Sequence, residues 1–93
     1  MGTNTVAVSR VLQEEVRTVR MVRVESSNVE EVGYVDGIGR LWVRFHWKPG
    51  AKFTLYAFDH VPRSVYEGFF TAPSKGVYFH RAVKDRYQFR PVL

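Results

Sequence analysis

The sequence predicts an α+β fold, a small antiparallel meander of three to four strands packed against two C-terminal helices. Two observations carry that reading. Residues 40–58 alternate apolar and polar positions around turn signals, the period of half-buried strands. After Val61-Pro62 the apolar spacing changes to three and four residues, and Pro73-Ser74 divides the region into two helices.

The first twenty residues allow several structures. Val8, Val11/Leu12, Val16 and Val19 recur at helical spacing with Arg and Glu between them, an amphipathic pattern that the β-branched residues also leave open to a strand. This N-terminal extension packs on the domain, contacts a partner or is disordered. Met21 is an alternative start that would make residues 1–20 dispensable, leaving 21–93 as the domain. Residues 22–28 read as a short strand ending in a turn, where Ser26 and Ser27 bond local backbone. Val32 to Val35 is a strand, and Asp36-Gly37 signals a hairpin because both turn positions favour positive φ. Gly37-Ile38-Gly39 shares the opening of a dinucleotide fingerprint but lacks the third glycine and the following helix.

In the next strand Leu41, Val43, Phe45 and Trp47 face one way, with Arg40, Trp42, Arg44 and His46 opposite. Pro49-Gly50 turns the chain into Lys52–Phe58, where Phe53, Leu55 and Ala57 alternate with Lys52, Thr54, Tyr56 and Phe58. If these strands pair as neighbours, one face carries Trp42, Tyr56 and Phe58 among Arg40, Arg44 and Lys52. Aromatics interleaved with cations on an open sheet stack bases in RNA-recognition sheets. The competing reading is a core face covered by the N-terminal segment.

Pro62 opens a helix with Val65, Tyr66, Phe69 and Phe70 as its stripe, weakened by Gly68 and ended by Pro73. Ser74 caps a second helix expected to reach about Tyr87, with Phe79, Ala82, Val83 and Tyr87 on one side. Phe89 to Leu93 forms a last edge strand whose pairing Pro91 limits. Lys75, Arg81, Lys84, Arg86 and Arg90 face only Asp85 in charge, so this end could track a phosphate backbone or simply be solvated.

Ninety-three residues make one domain with a modest core, and seven Phe, five Tyr and two Trp compensate for its size. The absence of Cys excludes disulfides, thiolate metal sites and Cys nucleophiles. No apolar run approaches the ~18 residues that span a bilayer, and the N-terminus has neither a secretory signal nor a myristoylation pattern. A cytoplasmic protein with no membrane partner is expected. Net charge +5 and a pI near 9.9 favour polyanionic partners, though such a charge also serves solubility. His46, His60 and His80 lack ligand or triad spacing, and Asp59-His60 is the one tempting acid–base pair. No enzyme, metal or cofactor is expected.

The chain resembles the KTSC domain, named for its occurrence at the C-terminus of some lysyl-tRNA synthetases and found also in small stand-alone bacterial and phage proteins. The resemblance runs through Val24-x-Ser26-Ser27-Asn28-Val29, Val32-Gly33-Tyr34 and Leu41-x-Val43-x-Phe45. It continues in Tyr56-x-Phe58-x-x-Val61-Pro62-x-x-Val65-Tyr66 and Ala72-x-Ser74-x-Gly76-x-Tyr78-Phe79, and closes with Val83 and Tyr87. Phe58 departs from the family's usual Tyr-x-Tyr pair. The resemblance implies a compact α+β fold and RNA binding, and it brings no catalytic residues. The expected partner is therefore RNA or another nucleic acid, bound through Arg40, Trp42, Arg44, Tyr56 and Phe58 on the sheet and Lys75, Arg81, Lys84 and Arg90 beyond it. The alternative is a protein-interaction module, such as a small phage or bacterial protein that binds a host enzyme. The oligomeric state is left open.

Overall fold

A computed structural model describes the backbone of residues 2–92 and the side chains of residues 10–92. The elements run α1 (Gly2–Thr18), β1 (Met21–Arg23), β2 (Val29–Val35), β3 (Arg40–Phe45), β4 (Leu55–Phe58), α2 (Arg63–Thr71), α3 (Lys75–Ala82) and β5 (Phe89–Val92). The five strands pair antiparallel in sequence order, β1-β2-β3-β4-β5. The α+β meander is therefore present with five strands, because Met21–Arg23 and Phe89–Val92 both join as edges. Pro91 sits on the outer strand, opposite Tyr56, where a missing N–H is tolerated.

Each turn follows from local chemistry. The β2–β3 turn takes its positive φ at Gly37 (90°) and Gly39 (67°) rather than at Asp36, so a four-residue turn replaces the expected two-residue one. Ser26 Oγ accepts from the Asn28 and Val29 amides at 3.0 and 3.1 Å, the structural role expected of that serine. Pro62 is the N-cap of α2, and Ser74 caps α3 by accepting from the Val77 amide at 3.3 Å. The second helix stops at Ala82, short of the expected Tyr87, because Asp85 takes the left-handed conformation (φ 63°) and turns the chain toward β5. β3 also ends early, at Phe45, so Trp47 is left exposed and does not share the buried face of Leu41, Val43 and Phe45.

The sheet has a core on each face. Val29, Val32, Leu41, Val43 and Phe58 pack against Phe69 of α2 and Phe79 of α3. On the reverse face, Leu12 of α1 packs with Trp42, Leu55, Ala57 and Val92, and Val16 and Val19 close the edge of that cluster. Val8 lies outside the described side chains. The Leu12 side chain is 1% exposed, so α1 contributes to the core instead of lying loosely on it. Truncating a buried Leu removes transfer free energy and leaves a cavity, so Leu12→Ala should cost about 2–5 kcal/mol in urea unfolding. A loss below about 0.5 kcal/mol would show that α1 is outside the cooperative unit.

Gly68 has a packing reason that its helix propensity hides. A Cβ there would lie 2.0 Å from the Tyr78 hydroxyl oxygen, which donates to the Val65 carbonyl at 2.7 Å. The same ring meets Phe69 edge-on at 4.9 Å. Alanine is favoured over glycine within a helix by about 1 kcal/mol, but here it would displace a hydrogen-bonded ring shared by α2 and α3. Gly68→Ala should therefore lower the urea midpoint in the native background and raise it in a Tyr78→Ala background. Stabilisation in both would show that Tyr78 moves freely.

Candidate nucleic-acid interface

The register of β3 against β4 decides where the expected site residues go. Trp42 pairs with Ala57, Val43 with Tyr56 and Leu41 with Phe58, and directly opposed residues share a face. Tyr56 and Phe58 therefore stand on the α2/α3 face, and Trp42 stands on the α1 face. The expected platform of Trp42, Tyr56 and Phe58 does not form, since a one-residue offset in pairing sends a strand's side chains to the other side. Trp42 is fully buried and Phe58 is 4% exposed, so neither presents an open ring for stacking.

The cations beside them are also engaged. Arg40 donates through Nη1 to Glu15 and through Nε to Asp59 at 2.9 Å, while Trp42 Nε1 donates to the second Glu15 oxygen at 2.7 Å. Arg90 reaches both oxygens of Asp59 at 3.0 and 2.9 Å, and Arg44 Nε bonds Glu31 at 2.8 Å. Burial works against the Arg40 charge, but the Asp59 hydrogen bond and the charges of Glu15 and Asp59 outweigh it and hold its pKa above the ordinary value. Lys75 Nζ donates to the Ala72 carbonyl at 2.7 Å, closing the end of α2. Asp59 thus serves two guanidinium groups and is not an acid–base partner of His60, which is exposed with φ 59°. Among the described residues no three His, Asp or Glu side chains converge on a metal position.

What the fold does assemble is an aromatic pocket of about 410 Å3 between β3, β4, α3 and β5. Its walls are Phe45, Phe53, Tyr56, Phe58, Phe79 and Phe89. Phe45 meets Phe79 at 4.9 Å and 81°, and Tyr56 meets Phe89 at 5.8 Å and 58°, so the rings form angled walls rather than a closed stack. Asn28, His46, Lys48, Lys84 and Asp85 line the rest. His46 Nε2 lies 3.0 Å from the Ser26 carbonyl; as the donor in that bond, it leaves Nδ1 to accept. Lys48 Nζ donates to Asn28 Oδ1 at 3.2 Å, and Lys52 Nζ stands 5.8 Å from the Phe53 ring centroid. Lys84 is exposed and forms no ion pair with the described residues. The turn at Asp85 that cuts α3 short places Lys84 beside the pocket. A second cleft, at the start of α3, joins Ser27, Asn28, Ser74, His80 and Arg81.

Of the residues expected from sequence, Tyr56, Phe58 and Lys84 meet at this pocket, and Arg81 lies in the adjoining cleft that also contains Asn28. Arg40, Trp42, Arg44, Lys75 and Arg90 do not join them. Phe45, Phe53, Phe89, His46 and Lys48 were not anticipated. Phe45 reads as core because it continues the Leu41-Val43 alternation, and Phe89 is distant in sequence. The clustering of aromatics around the Pro49-Gly50 turn was the one signal available for Phe53 and Lys48.

Fold and pocket together define a small α+β domain with an aromatic, cation-rimmed cavity. The chain belongs to the KTSC domain family, whose sequence model matches residues 25–87. That match begins after α1 and β1. The structure is similar to the crystal structure of a KTSC domain protein from Yersinia pestis, with TM-score 0.72 and 24% identity over 82% of this chain and 100% of that chain. At that identity the likeness concerns the fold. No curated protein matches the chain.

The ion-pair network separates structural cations from free ones. Asp59→Asn removes the charge shared by Arg40 and Arg90 and should cost about 1–3 kcal/mol in urea unfolding, discounted for partial solvent access. Lys84→Gln should change stability by less than about 0.5 kcal/mol. Equal losses for the two would contradict this division.

Proposed function

We propose that this domain is a non-catalytic nucleic-acid-binding module, with RNA favoured over DNA. The observation that carries the reading is the pocket that combines aromatic walls with Lys48 and Lys84. Aromatic rings supply stacking surfaces, and cations beside them neutralise phosphate, the pairing that single-strand binders use. The net charge of +5 supports the same partner class. The implied association of the family with lysyl-tRNA synthetases points toward RNA, and a cytoplasmic setting accords with that. The binding residues in this reading are Tyr56, Lys84 and Arg81 from the sequence expectation, joined by Phe45, Phe89 and Lys48.

A second reading, a protein-interaction module, draws on the exposed apolar side chains Trp47, Phe70 and Val77. Hot spots in protein interfaces are built from such groups. Capture from lysate with and without nuclease separates the two readings, since a partner kept after nuclease treatment favours the protein.

The direct test is fluorescence anisotropy of a labelled RNA across a salt series. Affinity should fall by ~0.7 log units per log of salt for each phosphate neutralised, and Lys84→Gln should reduce that slope by about 0.7. Absence of binding at low salt would end this reading.

A further inference from the structure

We infer that the aromatic pocket receives a single unpaired nucleobase, so that the domain selects single-stranded or looped RNA over duplex. This rests on the nucleic-acid reading above and specifies the ligand of the same site. At about 410 Å3 the cavity falls at the small end of ligand pockets, which run from roughly 300 to 1,000 Å3. That space suits one planar group rather than a stacked run. A base within a duplex presents its edge to a groove and keeps its faces covered by its neighbours. It must be splayed out before its face can meet a ring.

The rings stand ready for such a guest. Phe79, 9% exposed, belongs to the core and meets Phe45 nearly at right angles (81°), so the half-buried rings of Phe45 and Tyr56 are the walls against which a flat ring can lie. Phe89, 55% exposed on the edge strand β5, leaves part of its ring uncovered. Within this apolar lining the Tyr56 hydroxyl makes no hydrogen bond to the described residues, which leaves it for the polar edge of a base. The Asp85 carboxylate on the same lining is an acceptor for an exocyclic amino group. Outside, Lys48 and Lys84 border the cavity, and Lys52 stands against the Phe53 ring. Three ammonium groups around an apolar cavity match a nucleotide, whose flat apolar face is joined to an anionic backbone. An aromatic peptide side chain has the face without that backbone charge.

The test measures anisotropy of one labelled mixed-sequence RNA at low salt, single-stranded, annealed to its complement, and single-stranded with abasic residues. The expected result is at least tenfold weaker binding of the duplex and of the abasic strand. Phe89→Ala should weaken the intact single strand by about 5- to 150-fold, the range for losing one stacked base, and leave the duplex unchanged. Phe89 is largely exposed, so the variant should fold, and the abasic strand makes the same comparison with the native protein. Equal binding of all three RNAs, or no effect of Phe89→Ala while Lys84→Gln still weakens binding, would overturn the base-pocket inference and leave the nucleic-acid reading standing. No binding of any strand at low salt would overturn both. Release of the bound strand from the native protein by a Phe- or Trp-bearing neutral peptide as effectively as by unlabelled RNA would assign the pocket to a protein partner and overturn the inference.

Discussion

The pairing of Trp42 with Ala57 and of Val43 with Tyr56 is the constraint on which the rest of this structure depends. Strand side chains alternate with period two, so register alone decides which residues of β4 join which face of β3. In the observed register, Tyr56 and Phe58 sit with Leu41 and Val43 under α2 and α3, and Trp42 is left to α1. The domain thereby acquires two apolar faces. A short chain with two such faces needs cover on both, and α1 supplies the second with Leu12.

The same register explains why much of the positive charge is structural. Arg40 of β3 lies beneath α1, where it meets Glu15, and it also reaches Asp59 at the end of β4, which Arg90 of β5 meets from the other side. Glu15 also holds the Trp42 indole N–H, so one carboxylate satisfies a buried donor and a guanidinium together. A carboxylate from α1 and one from the end of β4 bracket Arg40, and Arg90 extends the chain of charges to the last strand. These contacts tie the N-terminal helix to the C-terminal strand through the middle of the sheet. Among the cations left without an ion pair to the described residues, Lys48 and Lys84 line the aromatic pocket and Arg81 lines the cleft at α3, while Arg10, Arg17, Arg20 and Arg23 lie along α1, the link after it and β1.

Features set by near neighbours in the chain were legible beforehand. The start of α2 at Pro62, the break at Pro73, the Ser74 cap and the Ser26 turn all depend on groups three or four residues apart. The strand alternation from Leu41 to Phe45 was readable for the same reason. The site was legible only in fragments. Of the expected residues, Tyr56, Phe58 and Lys84 line the pocket, while Phe45 and Phe89 reach Tyr56 through strand pairs and not through sequence spacing. Lys84 was assigned to a helix face. It lies instead beyond the end of α3, where the left-handed Asp85 turns the backbone.

The amino-acid sequence by itself determined the order of helices and strands, their turns and caps, the family motif and the positive charge. Backbone preference, side-chain capping and periodicity act over a few residues, so they survive without knowledge of the fold. Tertiary structure alone decided which face each aromatic took, which arginines were consumed in ion pairs and which remained beside a cavity. Those outcomes turn on strand register and on contacts between residues far apart in the chain, such as Arg40 with Glu15 and Arg90 with Asp59. A single strand's alternation is compatible with either register, and packing both sheet faces chooses between them.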